Sequence, residues 1–258
     1  MRSPAPKALL LVVALLLGAA VFAHAETIQR RGLRIHVDGE IAPVRLPRSG
    51  LAPVRVSVGT TIAAASGKSL PALKQISIAI NRHGRLDRSG LPVCETSDIQ
   101  PATNEKAMEA CRGSLVGEGR FAATTAVTKQ VSFPAEGKML AFNGTFQGRP
   151  AILAHVYGTD PVPTSFTLPF VIGRSAGIFG TTLTATLPRD EASSITRLDL
   201  TLDRRFTVRG RSRSYVSAGC PAPKGFSNAV FPFARIKYQF AGGERLSSTL
   251  IRSCRART

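Results

Sequence analysis

The sequence predicts an all-β chain: an antiparallel β-sandwich, either one large sandwich or two consecutive ones, with one short helix. Three observations carry this. Apolar residues recur with a period of two over segment after segment, and Gly- and Pro-rich turns separate those segments. In addition, 23 Gly and 17 Pro in 258 residues disfavour a long helical array. A hydrophobic fraction of 43% against 19% charged residues is enough to bury a core, which excludes a disordered chain.

In chain order, residues 1–25 read as a signal peptide. Arg2 and Lys7 precede the apolar run Ala8–Ala23, and Ala23-His24-Ala25 fits a small-x-small cleavage site, so Glu26 is the expected mature N-terminus. An uncleaved anchor is the alternative, because the run is only slightly short of a spanning length. No later stretch is apolar enough to span a membrane as a helix. The expected location is therefore extracytoplasmic, secreted or held at the cell envelope.

The first strands follow. Leu33, Ile35 and Val37 alternate with Arg34 and His36, Val54, Val56 and Val58 with Arg55 and Ser57, and Ile76, Ile78 and Ile80 with Ser77 and Ala79. One helix is expected over Thr103–Arg112, with Pro101 before it, Thr103 as N-cap and Gly113 after it. Beyond it, Leu140, Phe142 and Phe146 alternate with Ala141, Asn143 and Thr145; Phe166, Leu168, Phe170 and Ile172 form the next row. Leu183, Ala185 and Leu187, then Leu198, Leu200 and Leu202, then Ile236, Tyr238 and Phe240 complete the pattern. Such rows face a core on one side and water on the other, as in antiparallel sheets. Turns are expected at Asn81–Gly84, Asn143-Gly144, Arg209-Gly210 and Ala241–Gly243. The segment 94–113 is the natural boundary if there are two units, an N-terminal part over 26–113 and a C-terminal part over 114–258.

Export changes how cysteines are read. Cys94, Cys111, Cys220 and Cys254 lack metal-ligand spacing, and an even count in an oxidising compartment favours disulfides. Three pairings are open, besides four buried thiols. The sequence-local pairing, Cys94 to Cys111 and Cys220 to Cys254, is favoured; it closes loops 17 and 34 positions apart. Chain entropy makes these worth about 3 and about 3.7 kcal/mol.

Several strings taken together resemble an uncharacterised family of secreted proteins from high-GC Gram-positive bacteria. They are Gly90–Cys94 (GLPVC) through Cys111 and Leu115-Val116-Gly117, Ala141–Gly144 (AFNG), Gly148–Gly158 (GRPAILAHVYG), Leu168-Pro169-Phe170, Phe179-Gly180-Thr181 and Cys220–Gly225 (CPAPKG). The resemblance implies export and paired cysteines. It implies no activity, substrate or catalytic residue.

The residues point to no catalytic or metal site and to no cofactor. His36 lies on the polar side of its strand and His83 in a turn. His155 is the one histidine in a run apolar on both faces, with Asp160 nearby, which is the setting of a general base in an exported hydrolase. A structural histidine bonded to backbone is the simpler expectation. No G-x-S-x-G elbow, H-E-x-x-H or P-loop accompanies it. The pair Asp199/Asp203 sits beside Arg197 and Arg205, where ion pairing accounts for it. Asn143-Gly144-Thr145 matches a glycan acceptor, and Thr182, Thr184 and Thr186 form one outward threonine row.

Charge is the most informative feature left. The formal net charge is +18, and residues 204–258 carry 12 basic residues against Glu244 alone. Arg205, Arg209, Arg211 and Arg213 bracket a hairpin turn, and Arg235 and Lys237 point outward on a later strand, so the six are expected to form one polyanion-binding face. Arg outnumbers Lys 26 to 8, a bias that GC-rich coding also produces. The expected partners are anionic envelope polymers or lipid headgroups, without sequence-specific nucleic-acid recognition. The expected function is thus an exported, non-catalytic binding module. The alternative is a carrier of a lipid or other apolar ligand between its sheets, marked by a continuous cavity lined by Phe142, Phe166, Phe170 and Phe240.

Overall fold

The computed structural model describes residues 25–65, 70–128, 131–160, 163–187 and 193–257. The signal-peptide reading falls, apart from Ala25, outside them. The first strands are β1 (Glu26–Arg30), β2 (Leu33–Ala42), β3 (Arg45–Pro47), β4 (Ala52–Pro53), β5 (Arg55–Ala64), β6 (Leu73–Asn81) and β7 (Gly84–Leu86). Then come β8 (Leu115–Thr128), β9 (Val131–Phe146), β10 (Arg149–Asp160), β11 (Thr164–Arg174), β12 (Phe179–Thr186) and β13 (Ser193–Leu202). The last five are β14 (Arg205–Val208), β15 (Arg211–Ser214), β16 (Val216–Ala218), β17 (Asn228–Phe240) and β18 (Arg245–Arg257).

Period-two alternation makes these strands, and burial of the apolar row holds them. In β2, Leu33, Ile35, Val37 and Ile41 are buried while Arg34, His36 and Asp38 face water. Each such side chain contributes about 1.5–3 kcal/mol by leaving water. Thirteen strands join in one sheet, in the order β1-β2-β5-β13-β8-β9-β10-β11-β12-β6-β17-β18-β3. Every pair in it is antiparallel except β18 with β3.

The sheet curls until its two ends meet. Ile251 N donates to Glu26 Oε1 at 3.0 Å, and Arg252 Nε donates to Gly39 O at 2.6 Å, so β18 lies against β1 and β2 without a ladder between them. The inner rows of β5 and β13 consequently face those of β6 and β17; across the interior, the hydroxyls of Thr60 and Tyr238 meet at 2.9 Å. One end of this interior is covered by a three-stranded sheet, β4-β16-β7. Strands from both sides of 94–113 interleave, β5 with β13 and β6 with β12 and β17, so residues 26–113 and 114–258 share one sheet and one main core.

The segment 94–113 lies on the outer face of β9 and β10 instead of between two sandwiches. Its helix, Asn104–Cys111, starts where expected: Lys106 N donates to Thr103 Oγ1 at 3.4 Å. A single helical turn, Thr96–Ile99, precedes it. Cys94, Ile99, Ala107 and Cys111 pack on Leu140, Phe142, Ala151 and Leu153 to make a second small core. This inverts one expectation. In β9 it is Ala141 that faces the main core, while Leu140 and Phe142 point outward into the second one. Both faces of the strand are covered, so the alternation there carries no inside-outside information.

For the same reason Asn143-Gly144 is not a turn. Asn143 is buried within β9; its Nδ2 donates to Pro92 O at 2.8 Å and its Oδ1 accepts from Arg88 Nε at 2.7 Å. The turn follows at Gln147-Gly148, both with positive φ. A buried, bonded asparagine is also no glycan acceptor. The cysteines pair locally, Cys94 with Cys111 and Cys220 with Cys254. The first bond ties the helix to the strand-like segment that bridges β9, and the second ties the chain after β16 to β18.

Candidate functional site

The two layers fix where each charged residue points. Because the inner rows of β13 and β17 look at each other, their outer faces look in opposite directions. Arg235 and Lys237 lie on the outer face of β17, with the Arg235 guanidinium 4.7 Å from the Phe179 ring centroid. Arg205, Arg209, Arg211 and Arg213 lie on the hairpin β14-β15, which leaves the end of β13. The six expected residues thus fall on two elements, four on the β14-β15 hairpin and two on the outer face of β17. Within the hairpin, register puts Arg211 opposite Val208 and Arg213 opposite Phe206 on one face, and Arg205 opposite Ser214. Arg209 and Gly210 form its two-residue turn with φ of 50° and 74°, the left-handed pair such a turn requires. Arg213 is engaged by Asp87 at 3.1 Å. That guanidinium and the Ser89 amide and hydroxyl hold Asp87 below the usual carboxylate range, against the effect of its burial.

A large concavity lies elsewhere, on the outer face of four adjacent strands, β5, β13, β8 and β9, with a volume of about 930 Å³. Five cationic side chains line it: Arg55, Arg120, Lys138, Arg197 and Arg204. Three carboxylates, Glu118, Glu136 and Asp203, stand among them. Strand register explains the convergence. Arg120 of β8 stands opposite Lys138 of β9 on one side and Asp199 of β13 on the other. Placing Arg120 directly across from Lys138 is a like-charge pair that costs the sheet stability. Glu118 takes the Lys138 ammonium at 2.8 Å, and Arg197 Nε donates to Asp199 Oδ2 at 2.5 Å, a bond that holds the Arg197 guanidinium protonated above its usual range.

Asp199 has a neighbour across β5. A Cβ on Gly59 would sit 2.2 Å from Asp38 Oδ1 and 2.9 Å from Asp199 Oδ1, so only glycine leaves room for both carboxylates. Arg55, Arg120 and Arg204 have no ion pair among the described residues, and the Nε of Arg204 is buried without a partner. Arg204 also begins the hairpin, holding Tyr215 N through its own carbonyl at 2.8 Å, so the groove opens at the foot of the hairpin arginines. Sequence reading missed this site because its members are scattered from 55 to 204 and meet only through cross-strand register. The signal available was the outward position of Arg120 and Lys138 on strands too rich in glycine to be assigned by alternation.

His155 is fully buried on the outer side of β10, between Leu140 and Thr167 across the neighbouring strands. Neither ring nitrogen has a hydrogen-bond partner, contrary to the expected backbone bond. Burial pushes the imidazole below its usual range, and the Ala102 backbone beside it opposes this without completing a hydrogen bond. Cys94, Asp98 and Cys111 also converge, but the two sulfurs are joined to each other and are not thiolate ligands. The carrier cavity expected from four phenylalanines is not formed by them. Phe142 is in the second core, Phe166 packs edge-on against Phe121 at 5.0 Å, and only Phe170 lines the interior cavity. No helix among the described residues is long and apolar enough to cross a membrane.

No family model, curated protein or solved structure matches the chain.

Proposed function

We propose that the protein is an exported, non-catalytic binding module that takes an anionic polymer in the groove over β5, β13, β8 and β9, with the hairpin arginines extending the site. The observation that carries this is the groove itself: five cations against three carboxylates, with Arg55, Arg120 and Arg204 outside any ion pair among the described residues. An open trough crossing four strands suits a chain-like ligand, which lies along it and exits past Arg209 and Arg211. Its size is within the range of ligand sites, about 300–1,000 Å³. Export is supported by the two disulfides, which persist in oxidising compartments, and by the apolar N-terminal run. The envelope offers polymers of the required charge.

The test uses dextran sulfate as the probe. Arg55, Arg120 and Arg204 are replaced together by Gln, and the variant is compared with one that loses Arg34, Arg235 and Lys237. Both lose three charges, so a difference reports position. The groove variant should bind far more weakly and show a salt slope smaller by about three, one unit for each lost phosphate- or sulfate-type contact. Equal losses in the two variants would show that affinity follows net charge alone.

A further inference from the structure

The two layers do not meet everywhere. Val56 and Val58 of β5, Leu200 of β13, and Ile78 and Ile80 of β6 point inward and pack with the main core, yet each is only partly buried. On the same strands Ile62, Leu198 and Ile76 are fully enclosed. The five partly buried side chains line an interior cavity of about 80 Å³. Its deep wall includes Thr60 and Tyr238, whose hydroxyls satisfy each other. Protein interiors are normally packed to crystal density, and a void of this size leaves its lining without dispersion partners. Water does not fill such a space well, because a buried water needs two to four polar partners.

The cavity ends at the cap. Leu86, Val216 and Ala218 close it from the β4-β16-β7 sheet, whose strands are 2, 3 and 3 residues long. The ladder is extended by hydrogen bonds from Val54 N to Val216 O, Asp87 N to Tyr215 O and Gly219 N to His83 O, so admission beneath it requires local opening of the cap. The Cys220–Cys254 bond just after β16 ties the cap to β18. At the roughly 30 Å³ that even a water molecule occupies in the liquid, the space of about 80 Å³ holds about three methylene-sized groups.

We infer that this cavity binds the tip of an aliphatic chain, about three carbons deep, admitted beneath the three-stranded cap. The site is separate from the groove, since it lies on the inner side of the same strands. It is also not the cavity the four phenylalanines would have formed: its lining is mostly aliphatic, drawn from β5, β6, β13 and β17, and of the four only Phe170 contributes, beside Phe233 and Tyr238.

The experiment uses methyl-labelled mature protein titrated with 1-hexanol. Nuclear Overhauser contacts from the hexanol chain to the methyl groups of Val58, Ile78 and Leu200, saturating with dose, are the expected result. Contacts confined to the exposed Val93 and Val230, or absent, would overturn the assignment. Val56→Phe and Val58→Phe each put most of a ring into the space and should abolish saturable binding; two positions are used so that loss of fold at one leaves the other. A folded filling variant that binds hexanol as the wild type does would equally overturn it. Failure here leaves the dextran sulfate result untouched, so the two sites are judged apart.

Discussion

Replacing His155 by Leu should stabilise the protein and remove part of its loss of stability in acid. The ring is enclosed by Leu140, Thr167 and the segment around Ala102, and neither nitrogen is hydrogen-bonded. Leaving a buried polar group unpaired costs about 1–3 kcal/mol. Leu is of similar size and has nothing to satisfy, so at pH 7.5 the variant should gain about 1 kcal/mol or more. The pH effect has a definite sign. Burial lowers the folded pKa, so below the unfolded value of about 6.5 the unfolded chain binds the proton that the folded one refuses. Stability is therefore fully present above that value and falls as pH drops below it, with a limiting slope of about 1.4 kcal/mol per pH unit. His36 and His83 are common to both proteins and cancel in the difference. Urea unfolding of wild type and H155L at pH 7.5, 6.5 and 5.5 measures both terms. The gap between them should widen as pH falls; parallel curves, or a variant less stable at pH 7.5, would refute the reasoning.

Three further outcomes follow from the packing. Replacing Cys94 and Cys111 together by Ala should cost about 3 kcal/mol in urea unfolding, since the closed loop spans 17 positions, with the Asn104–Cys111 helix the first segment to gain hydrogen exchange. Asn143→Ala should cost about 1–2 kcal/mol by the same assay, because it removes the bonds to Pro92 O and Arg88 Nε, while Arg88 keeps its bond to Gly144 O. Tyr238→Phe should cost only about 1 kcal/mol, since it removes one hydroxyl pair and leaves Thr60 at the wall of a cavity.

The sheet was legible because its strands are covered on one face. Alternation at Leu33–Val37, Ile76–Ile80 and Ile236–Phe240 marked β2, β6 and β17, and Thr103 marked the helix start. It misled where a strand is covered on both faces, as at Leu140–Asn143 under the disulfide-tied helix. Local pairing of the cysteines was legible from loop length, whereas the interleaving of β5 with β13 and of β6 with β17 was not, because strand order leaves no mark in a single sequence. The hairpin arginines were visible as a run. Their expected partners, Arg235 and Lys237, stand on the outer face of β17, an element separate from the hairpin. The groove cations were invisible for the converse reason: Arg55, Arg120 and Arg204 are far apart in sequence and adjacent only through register.

The most direct measurement is a hydrogen-exchange footprint of residues 26–258 with and without dextran sulfate at physiological ionic strength. Bound polymer should protect residues 117–122, 136–138 and 197–204, the strands that floor the groove, and leave the outer face of β17 unchanged. Protection confined to the hairpin turn or to β17, or no protection at all, would contradict the assignment of the groove as the anion-binding site.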